Sequence, residues 1–242
     1  MGFVCLAYHR VAQDQASRRD PYAVTPTDLR LHLTWLARRG YHGCSLSTLV
    51  SDSKNQPPRS IALTFDDGYL DFYTTAWPIL KDLGFCATVF VVTESVGQIA
   101  RWAEAPVASL MSWNDLQRLA ESGIEIGAHG ARHYPLDRIS ADERRADLSL
   151  AYHTLSARLG YAPIGLAYPY GRWSPSTAAA AADTGFQWGC TARGGINHPQ
   201  TPHFKLRRTL VHSQTGLFQF ACHVWTGYAH WRDWRMDVRR IP

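Results

Sequence analysis

The chain has 242 residues, of which 45% are hydrophobic, 12% aromatic and 19% charged, and its formal net charge is +5. This composition excludes a disordered chain, and the length is sufficient for a well-buried core. The basic balance permits an acidic partner without requiring one.

The N-terminal segment is predicted to be a strand, because residues 3–8 are mostly apolar and no cationic start precedes them. The longest apolar run, near residues 87–92, is too short for a transmembrane segment. We therefore expect a cytoplasmic chain, or a secreted or periplasmic one if a targeting segment has been removed. Five widely spaced cysteines predict reduced core thiols and no disulfide framework.

Short apolar runs alternate with helix signals along the whole chain. Strands are predicted at 3–8, 61–65, 87–92, 124–128, 165–168, 186–190 and 206–212. Helices are predicted to begin after Thr25, Ser112, Ser140 and Ser174, since each of these N-cap residues precedes a proline or an acidic side chain. No linker or repeat interrupts this order. The pattern predicts an α/β chain whose residues 1–242 form a single domain, a closed or nearly closed β/α barrel.

In a β/α barrel, chemistry belongs at the C-terminal ends of the strands, where the following loops converge. The strand at 61–65 leads directly into Asp66, Asp67 and Gly68. Two adjacent carboxylates before a glycine are unusual at a strand end, although Asp-Gly is also a common turn dipeptide. This motif alone leaves a catalytic role and an ordinary turn equally open.

Two further strand ends carry polar motifs. The strand at 124–128 leads into His129 and His133, whose spacing allows both imidazoles to share a metal ion. A lone histidine pair is more often structural. The strand at 165–168 leads into Pro169, Tyr170 and Gly171, an irregular backbone that can present an N–H to a ligand or form a simple turn.

The three motifs together favour one functional site over three unrelated turns. One carboxylate and two imidazoles form a facial ligand set that leaves metal positions open for water and substrate. The second carboxylate then remains as a base beside that metal. The sequence therefore predicts a metal-dependent hydrolase.

The same motifs resemble those of the polysaccharide deacetylase family, which is carbohydrate esterase family 4 with the NodB homology domain. TFDDG at 64–68, HGARH at 129–133 and AYPYG at 167–171 resemble its first three motifs in their usual order. YHRV at 8–11 and the region 22–49 resemble a subgroup of bacterial exopolysaccharide deacetylases. The resemblance implies a distorted (β/α)7 barrel that removes acetyl groups from amino sugars, with Zn²⁺ or another divalent metal such as Co²⁺ or Ni²⁺ as cofactor.

The resemblance also implies a role for each motif residue. It assigns Asp67, His129 and His133 to the metal, and Asp66 to the general base that accepts a proton from the metal-activated water. It assigns the backbone N–H of Tyr170 to stabilising the oxyanion.

The proton donor to the leaving nitrogen has two candidates. His212 lies in an LVH segment that resembles the late histidine motif of many relatives, whereas His9 belongs to the N-terminal motif of the subgroup. Histidine suits the role because its pKa lies near the working pH. We place His9 slightly ahead, and structural roles remain open for both.

Two residues depart from the family pattern. Gly130 replaces the usual serine or threonine, which removes a hydroxyl that would brace the metal loop. Ala167 stands where many relatives have an arginine that orients the base. The resemblance to the subgroup implies that Arg208, near the start of the late strand, supplies that cation, with Arg193 as a second choice.

The expected substrate is an N-acetylglucosamine-type sugar in a polysaccharide or glycoconjugate. Alternatives are deacetylation or deformylation of a small or lipid-linked acyl amino sugar, and a non-catalytic carbohydrate-binding domain. Aromatic residues near strand ends are candidate stacking surfaces for sugar rings: Tyr69, Trp102, Trp173 and Trp188. No nucleic-acid partner is expected, because the arginines and tryptophans at 225–240 fit domain packing better.

Overall fold

The computed structural model describes residues 2–13, 20–51, 57–102 and 108–228. In these ranges the strands are β1 Val4–Tyr8, β2 Arg10–Val11, β3 Ala23–Val24, β4 His42–Cys44, β5 Ser60–Phe65, β6 Thr88–Val91, β7 Glu125–Ala128, β8 Gly165–Ala167, β9 Trp188–Cys190 and β10 Thr209–Leu210. The α-helices are α1 Pro26–Arg38, α2 Leu46–Ser51, α3 Trp77–Asp82, α4 Trp113–Glu121, α5 Ala141–Leu159, α6 Pro175–Thr184 and α7 Leu217–Thr226.

The main sheet is parallel and has the order β10-β1-β5-β6-β7-β8-β9, with β4 also pairing with β5. A parallel bridge joins Cys190 to Leu206, and β10 pairs with β1 a few residues later. The segment 206–210 therefore lies between the two edges of the curled sheet and closes it. The predicted α/β fold, a distorted (β/α)7 barrel, is confirmed. The extent of a single domain over residues 1–242 stays a prediction.

Alternate residues of the central strands face two different apolar clusters. Leu63 and Phe65 pack with the core residues of the surrounding helices. Ala62 and Phe90 belong to a smaller cluster that fills the barrel interior. Because strands buried on both faces need apolar residues at every position, these strands are continuous hydrophobic runs. The alternation extends into the loop after β5, so Asp66 lies on the same face as Ala62.

The helices begin and end where the capping residues predict. The Ser112 and Ser140 side chains each accept a hydrogen bond from the backbone N–H three residues later, in complete capping boxes. Thr25 and Ser174 cap α1 and α6 in the same way. Gly160, with φ +78°, ends α5 in the left-handed conformation that glycine adopts at low cost.

The main differences from the predicted elements are short strands. The strand predicted at 206–212 is reduced to Thr209–Leu210, because Leu206 pairs with β9 and only Thr209 and Leu210 pair with β1. Strands β2, β3 and β4 have two or three residues each and carry too little periodicity to be predicted.

All five cysteines are free thiols, but only Cys5 and Cys190 are buried in the core, and the other three are partly exposed. None of the helices in the described part of the chain combines the length and apolar character that a membrane crossing needs. Within the arginine- and tryptophan-rich stretch at 225–240, residues 229–240 lie outside the described residues.

Candidate metal centre and active site

A cavity of about 570 Å³ opens at the C-terminal ends of β1, β5 and β7. Its lining includes six residues that the sequence singles out: His9, Asp66, Asp67, His129, His133 and Tyr170. Arg208 and His212 do not line it. The loops that follow β1, β5, β7 and β8 thus contribute residues to one site.

The Asp67 carboxylate faces two imidazoles. Its Oδ1 atom lies 3.4 Å from His129 Nε2 and 3.3 Å from His133 Nε2. The three ligand atoms all lie within 4.8 Å of one another, and all three residues are buried. Asp67 and His133 have left-handed backbones, with φ +73° and +59°. Such strained conformations persist where the surrounding structure enforces them, commonly at functional sites.

His129 is oriented for metal binding. Its Nδ1 lies 2.8 Å from the carbonyl oxygen of Ala167, so Nδ1 donates this hydrogen bond and Nε2 is left with a lone pair toward Asp67. Burial lowers the pKa of His129 to about 4, which keeps the imidazole neutral. Asp67 Oδ1 is buried without a hydrogen-bond donor among the described residues. A buried carboxylate oxygen beside two imidazole nitrogens is a ligand set that fits a divalent cation.

Asp66 has a different partner. Its two carboxylate oxygens accept hydrogen bonds from Arg208 at 2.6 and 2.8 Å, and both side chains are buried. Arg208 also donates to the carbonyl oxygen of Thr191 and to the Thr64 hydroxyl. The structure therefore places Arg208 against Asp66. Arg193 is exposed, and its backbone carbonyl accepts a hydrogen bond from the backbone N–H of Arg208.

This ion pair sets the ionisation of Asp66. Burial alone would raise the pKa of this carboxyl group. The charge of Arg208, together with its hydrogen bonds, overcomes that effect and lowers the pKa of Asp66 below its usual value. Asp66 is therefore an ionised carboxylate at neutral pH, and it lies beside the candidate metal ligands.

A residue that the sequence reasoning missed braces the histidine loop. The Asp147 carboxylate on α5 is fully buried and accepts hydrogen bonds from the backbone N–H groups of Ala131 and Arg132, at 2.9 and 3.1 Å. Asp147 on α5 thus braces the metal loop, as a serine or threonine hydroxyl at position 130 does in relatives. The available signal in the sequence was an acidic residue at the helical spacing of the apolar Ala151 and Leu155.

Gly130 is required by this arrangement. Its φ is +73°, and a Cβ added there would lie 2.9 Å from Asp147 Oδ2. We expect Gly130→Ala to lower the free energy of unfolding by about 1–2 kcal/mol and to weaken metal binding, because the loop must shift to keep Asp147 in place. Gly84→Ala is the matched control, since Gly84 has φ +68° and nothing within 4 Å of an added Cβ. Urea unfolding and zinc titration measure both effects. Equal metal affinity in the two variants would contradict the role of this loop.

The two candidate proton donors are not equivalent. His9 lines the cavity, and its Nε2 lies 4.0 Å from Asp66 Oδ2. The Tyr22 ring lies between the two histidines, with ring centroids 4.8 Å from His9 and 5.3 Å from His212. His9 is therefore the candidate closer to the reacting groups.

The aromatic surfaces divide into two groups. Trp102 and Tyr170 line the cavity and contact the His133 ring at centroid distances of 4.7 and 4.6 Å, and Tyr69 also lines it. Trp188 instead packs inside the barrel, and Trp173 lies under Lys205. The expectation that the last two form sugar-binding surfaces is therefore not met by their positions. Tyr22 belongs to the cavity and was not predicted.

These observations define a class of protein: a parallel β/α barrel with a candidate divalent-metal site beside an ionised carboxylate. Residues 53–189, more than half of the chain, match the family model described as polysaccharide deacetylase. The chain belongs to the polysaccharide deacetylase family.

Comparisons with individual proteins agree with this membership. The chain is 25% identical over 219 residues to the poly-β-1,6-N-acetyl-D-glucosamine N-deacetylase of Staphylococcus epidermidis, a match that covers 86% of this chain and 73% of that protein. It is 26% identical over 209 residues to YxkH of Bacillus subtilis, with coverage of 85% and 70%.

Two solved structures share the fold over most of their length. IcaB from Ammonifex degensii has 27% identity and a TM-score of 0.77, covering 88% of this chain and 93% of that one. The Streptococcus pyogenes deacetylase PplD in complex with acetate has 23% identity and a TM-score of 0.81, covering 93% and 98%.

Proposed function

We propose that the protein is a metal-dependent N-deacetylase that hydrolyses the acetamide of an N-acetylglucosamine-type residue in a polysaccharide or glycoconjugate. The observation that carries this proposal is the separation of two adjacent carboxylates. Asp66 is paired with Arg208, while Asp67 faces His129 and His133. The name of the Staphylococcus epidermidis relative supports a polymer of N-acetylglucosamine as substrate.

Asp67, His129 and His133 would hold the metal, for which Zn²⁺ is the first candidate and Co²⁺ or Ni²⁺ are alternatives. When bound, such an ion supplies Lewis acidity, which polarises an acetyl carbonyl and lowers the pKa of water. Three protein ligands leave coordination positions open, as in catalytic sites. The Ala167 carbonyl fixes the tautomer of His129 that this role needs.

Asp66 acts as the general base in this proposal. Its pKa is held below the usual value, so the carboxylate is ionised and can accept a proton from the attacking water. Arg208 holds the carboxylate in one orientation through both oxygens. The guanidinium therefore acts as a positioning group for the base.

The remaining steps belong to residues on the rim of the cavity. His9 would deliver a proton to the departing nitrogen, since it lines the cavity near Asp66. The backbone N–H of Tyr170, a residue held at φ +60°, would stabilise the developing oxyanion. Both roles stay predictions, and His212 remains the second candidate for the proton donor.

Metal analysis followed by acetate release tests the proposed function. Purified protein should contain close to one divalent ion per chain and should release acetate from β-1,6-linked N-acetylglucosamine oligomers. Chelation should abolish that release, and added zinc should restore it. A metal-free protein with unchanged activity, or a metal-loaded protein that binds the oligomer without releasing acetate, would contradict the proposal. The second result would favour the non-catalytic carbohydrate-binding alternative.

The ion pair at Asp66 predicts a shift in the pH profile. A carboxylate base is active above its pKa, and activity falls as the pH drops through that pKa. Arg208→Met removes the cation while burial remains, so the pKa of Asp66 should rise and the acid limb of kcat/KM should move at least about one pH unit upward. Folding should also weaken, because a buried carboxylate is left unpaired.

Arg193→Met is the control, since this exposed arginine does not contact Asp66. Its acid limb should coincide with that of the wild type. An unchanged acid limb in folded Arg208→Met would show that the ion pair does not control the base.

The cellular location of the protein stays a prediction. Whether the substrate is a polymer or a small molecule is also left to experiment.

A further inference from the structure

Asp20 is a buried acid in the wall of the cavity. Only 6% of its surface is exposed, and it lines the same cavity as the candidate metal ligands. Its Oδ1 atom accepts a hydrogen bond from the backbone N–H of Tyr22 at 2.8 Å. Its Oδ2 atom accepts no hydrogen bond from the residues that the structure describes. One carboxylate oxygen is thus held by the protein and the other is available to a ligand.

The position of this carboxylate is fixed by the backbone around it. The Asp20 carbonyl accepts the Ala23 N–H at 3.2 Å, and the Pro21 carbonyl accepts the Ser213 N–H at 2.8 Å. The Tyr22 ring packs against His9 and His212. A binding group that is held in place before the ligand arrives loses less conformational entropy on binding.

The other two carboxylates of the cavity have partners. Asp66 is paired with Arg208, and Asp67 faces two imidazoles. No ion pair involves Asp20 in the described part of the chain. The second oxygen of Asp20 has no protein donor among the described residues, so a molecule that enters the cavity can donate a hydrogen bond to it.

The charge of the cavity favours a neutral donor. Asp20, Asp66 and Asp67 carry three negative charges, and Arg208 together with a bound divalent ion would balance them. An ammonium group is therefore not required, whereas sugar hydroxyls are neutral and can donate to a carboxylate.

We infer that Asp20 is a substrate-binding residue that accepts hydrogen bonds from hydroxyl groups of the sugar and thereby orients its acetamide toward the metal centre. This inference rests on the proposed function and adds a specificity determinant to it. The Tyr22 and Trp102 rings line the same cavity and offer apolar surfaces for the sugar ring.

Two variants of Asp20 test this inference. Asp20→Ala removes both oxygens. We expect it to weaken binding of an N-acetylglucosamine oligosaccharide by about 10- to 100-fold, the range for hydrogen bonds to a charged group. The ratio of kcat/KM for the oligosaccharide to that for 4-nitrophenyl acetate, which has no sugar, should fall at least about tenfold. Metal content should match the wild type, because Asp20 is not among the candidate ligands.

Asp20→Asn separates a hydroxyl ligand from an ammonium ligand. The asparagine oxygen can still accept the Tyr22 N–H, which places its NH₂ group in the cavity. A sugar hydroxyl can accept from that NH₂ group, so binding should fall less than about fivefold, while an ammonium group cannot accept. Asp82→Ala is the control, because Asp82 is an exposed acid on α3 paired with Arg30. It should change neither binding nor the kcat/KM ratio more than twofold.

Titration calorimetry and the two kinetic assays give distinct outcomes. Unchanged oligosaccharide affinity and an unchanged kcat/KM ratio in folded Asp20→Ala would overturn the inference. Equal losses in both variants, confined to oligomers that carry free amines, would also overturn it and would indicate ammonium recognition. If the wild type binds the oligosaccharide but releases no acetate, the proposed function fails, and the calorimetric comparison still decides the role of Asp20.

Discussion

Replacing Asp66 by Asn is expected to lower kcat for deacetylation at least ~10²-fold while the protein keeps its metal. The amide preserves the size of the side chain but cannot accept a proton from water. It also leaves Arg208 with only one acceptor oxygen in a buried site, so stability should fall as well. Rates should therefore be measured on protein whose folded fraction is known from circular dichroism.

Asp67→Asn is the matched variant, because it makes the same chemical change one residue along the chain. It should lose metal affinity first, and excess zinc should partly restore its activity. Elemental analysis and a deacetylation assay across pH separate the two variants. Normal turnover by Asp66→Asn, or loss of metal by that variant alone, would show that the roles assigned to the two carboxylates are wrong.

His133→Ala is expected to lose most of its bound zinc and nearly all activity while remaining folded. His133 is one of three candidate ligands, and its Nε2 lies 3.3 Å from Asp67 Oδ1. Removing a direct ligand should weaken metal binding by more than the ~10- to 100-fold that is typical of losing a group behind a ligand. Competition with a chelator of known affinity measures the change.

The control for this variant is His42→Ala, an exposed histidine on β4 that lies outside the cavity. It should retain the metal affinity of the wild type. Full metal occupancy in His133→Ala would remove this residue from the ligand set and would leave its contacts with Trp102 and Tyr170 as its main role.

The barrel strands and their polar ends were predictable because their signals are local. Each central strand is a short apolar run buried on both faces, and the loop that follows it begins with the site residue. Once the strands are known to be parallel, their C-terminal ends must meet at one face. Hence the sequence alone predicts that Asp66, Asp67, His129 and His133 lie together.

The supporting residues carried weaker signals because their partners are remote in the chain. Arg208 lies 142 residues beyond Asp66, and only the resemblance to the subgroup nominated it. Asp147 braces the histidine loop from the middle of a helix. Asp20 and Tyr22 enter the cavity from a loop with no periodic pattern. Such pairings depend on tertiary packing, which local propensity does not encode.

The closure of the sheet by residues 206–210 has a consequence for the order in which the site is assembled during synthesis. The three candidate ligands all lie between residues 67 and 133, whereas the cation that keeps Asp66 ionised arrives with the last strand of the barrel. During synthesis, the chain would therefore contain all three candidate metal ligands before Arg208 is available to pair with Asp66. Because late, long-range strand pairing is slow, refolding protein should recover zinc binding earlier than catalytic turnover.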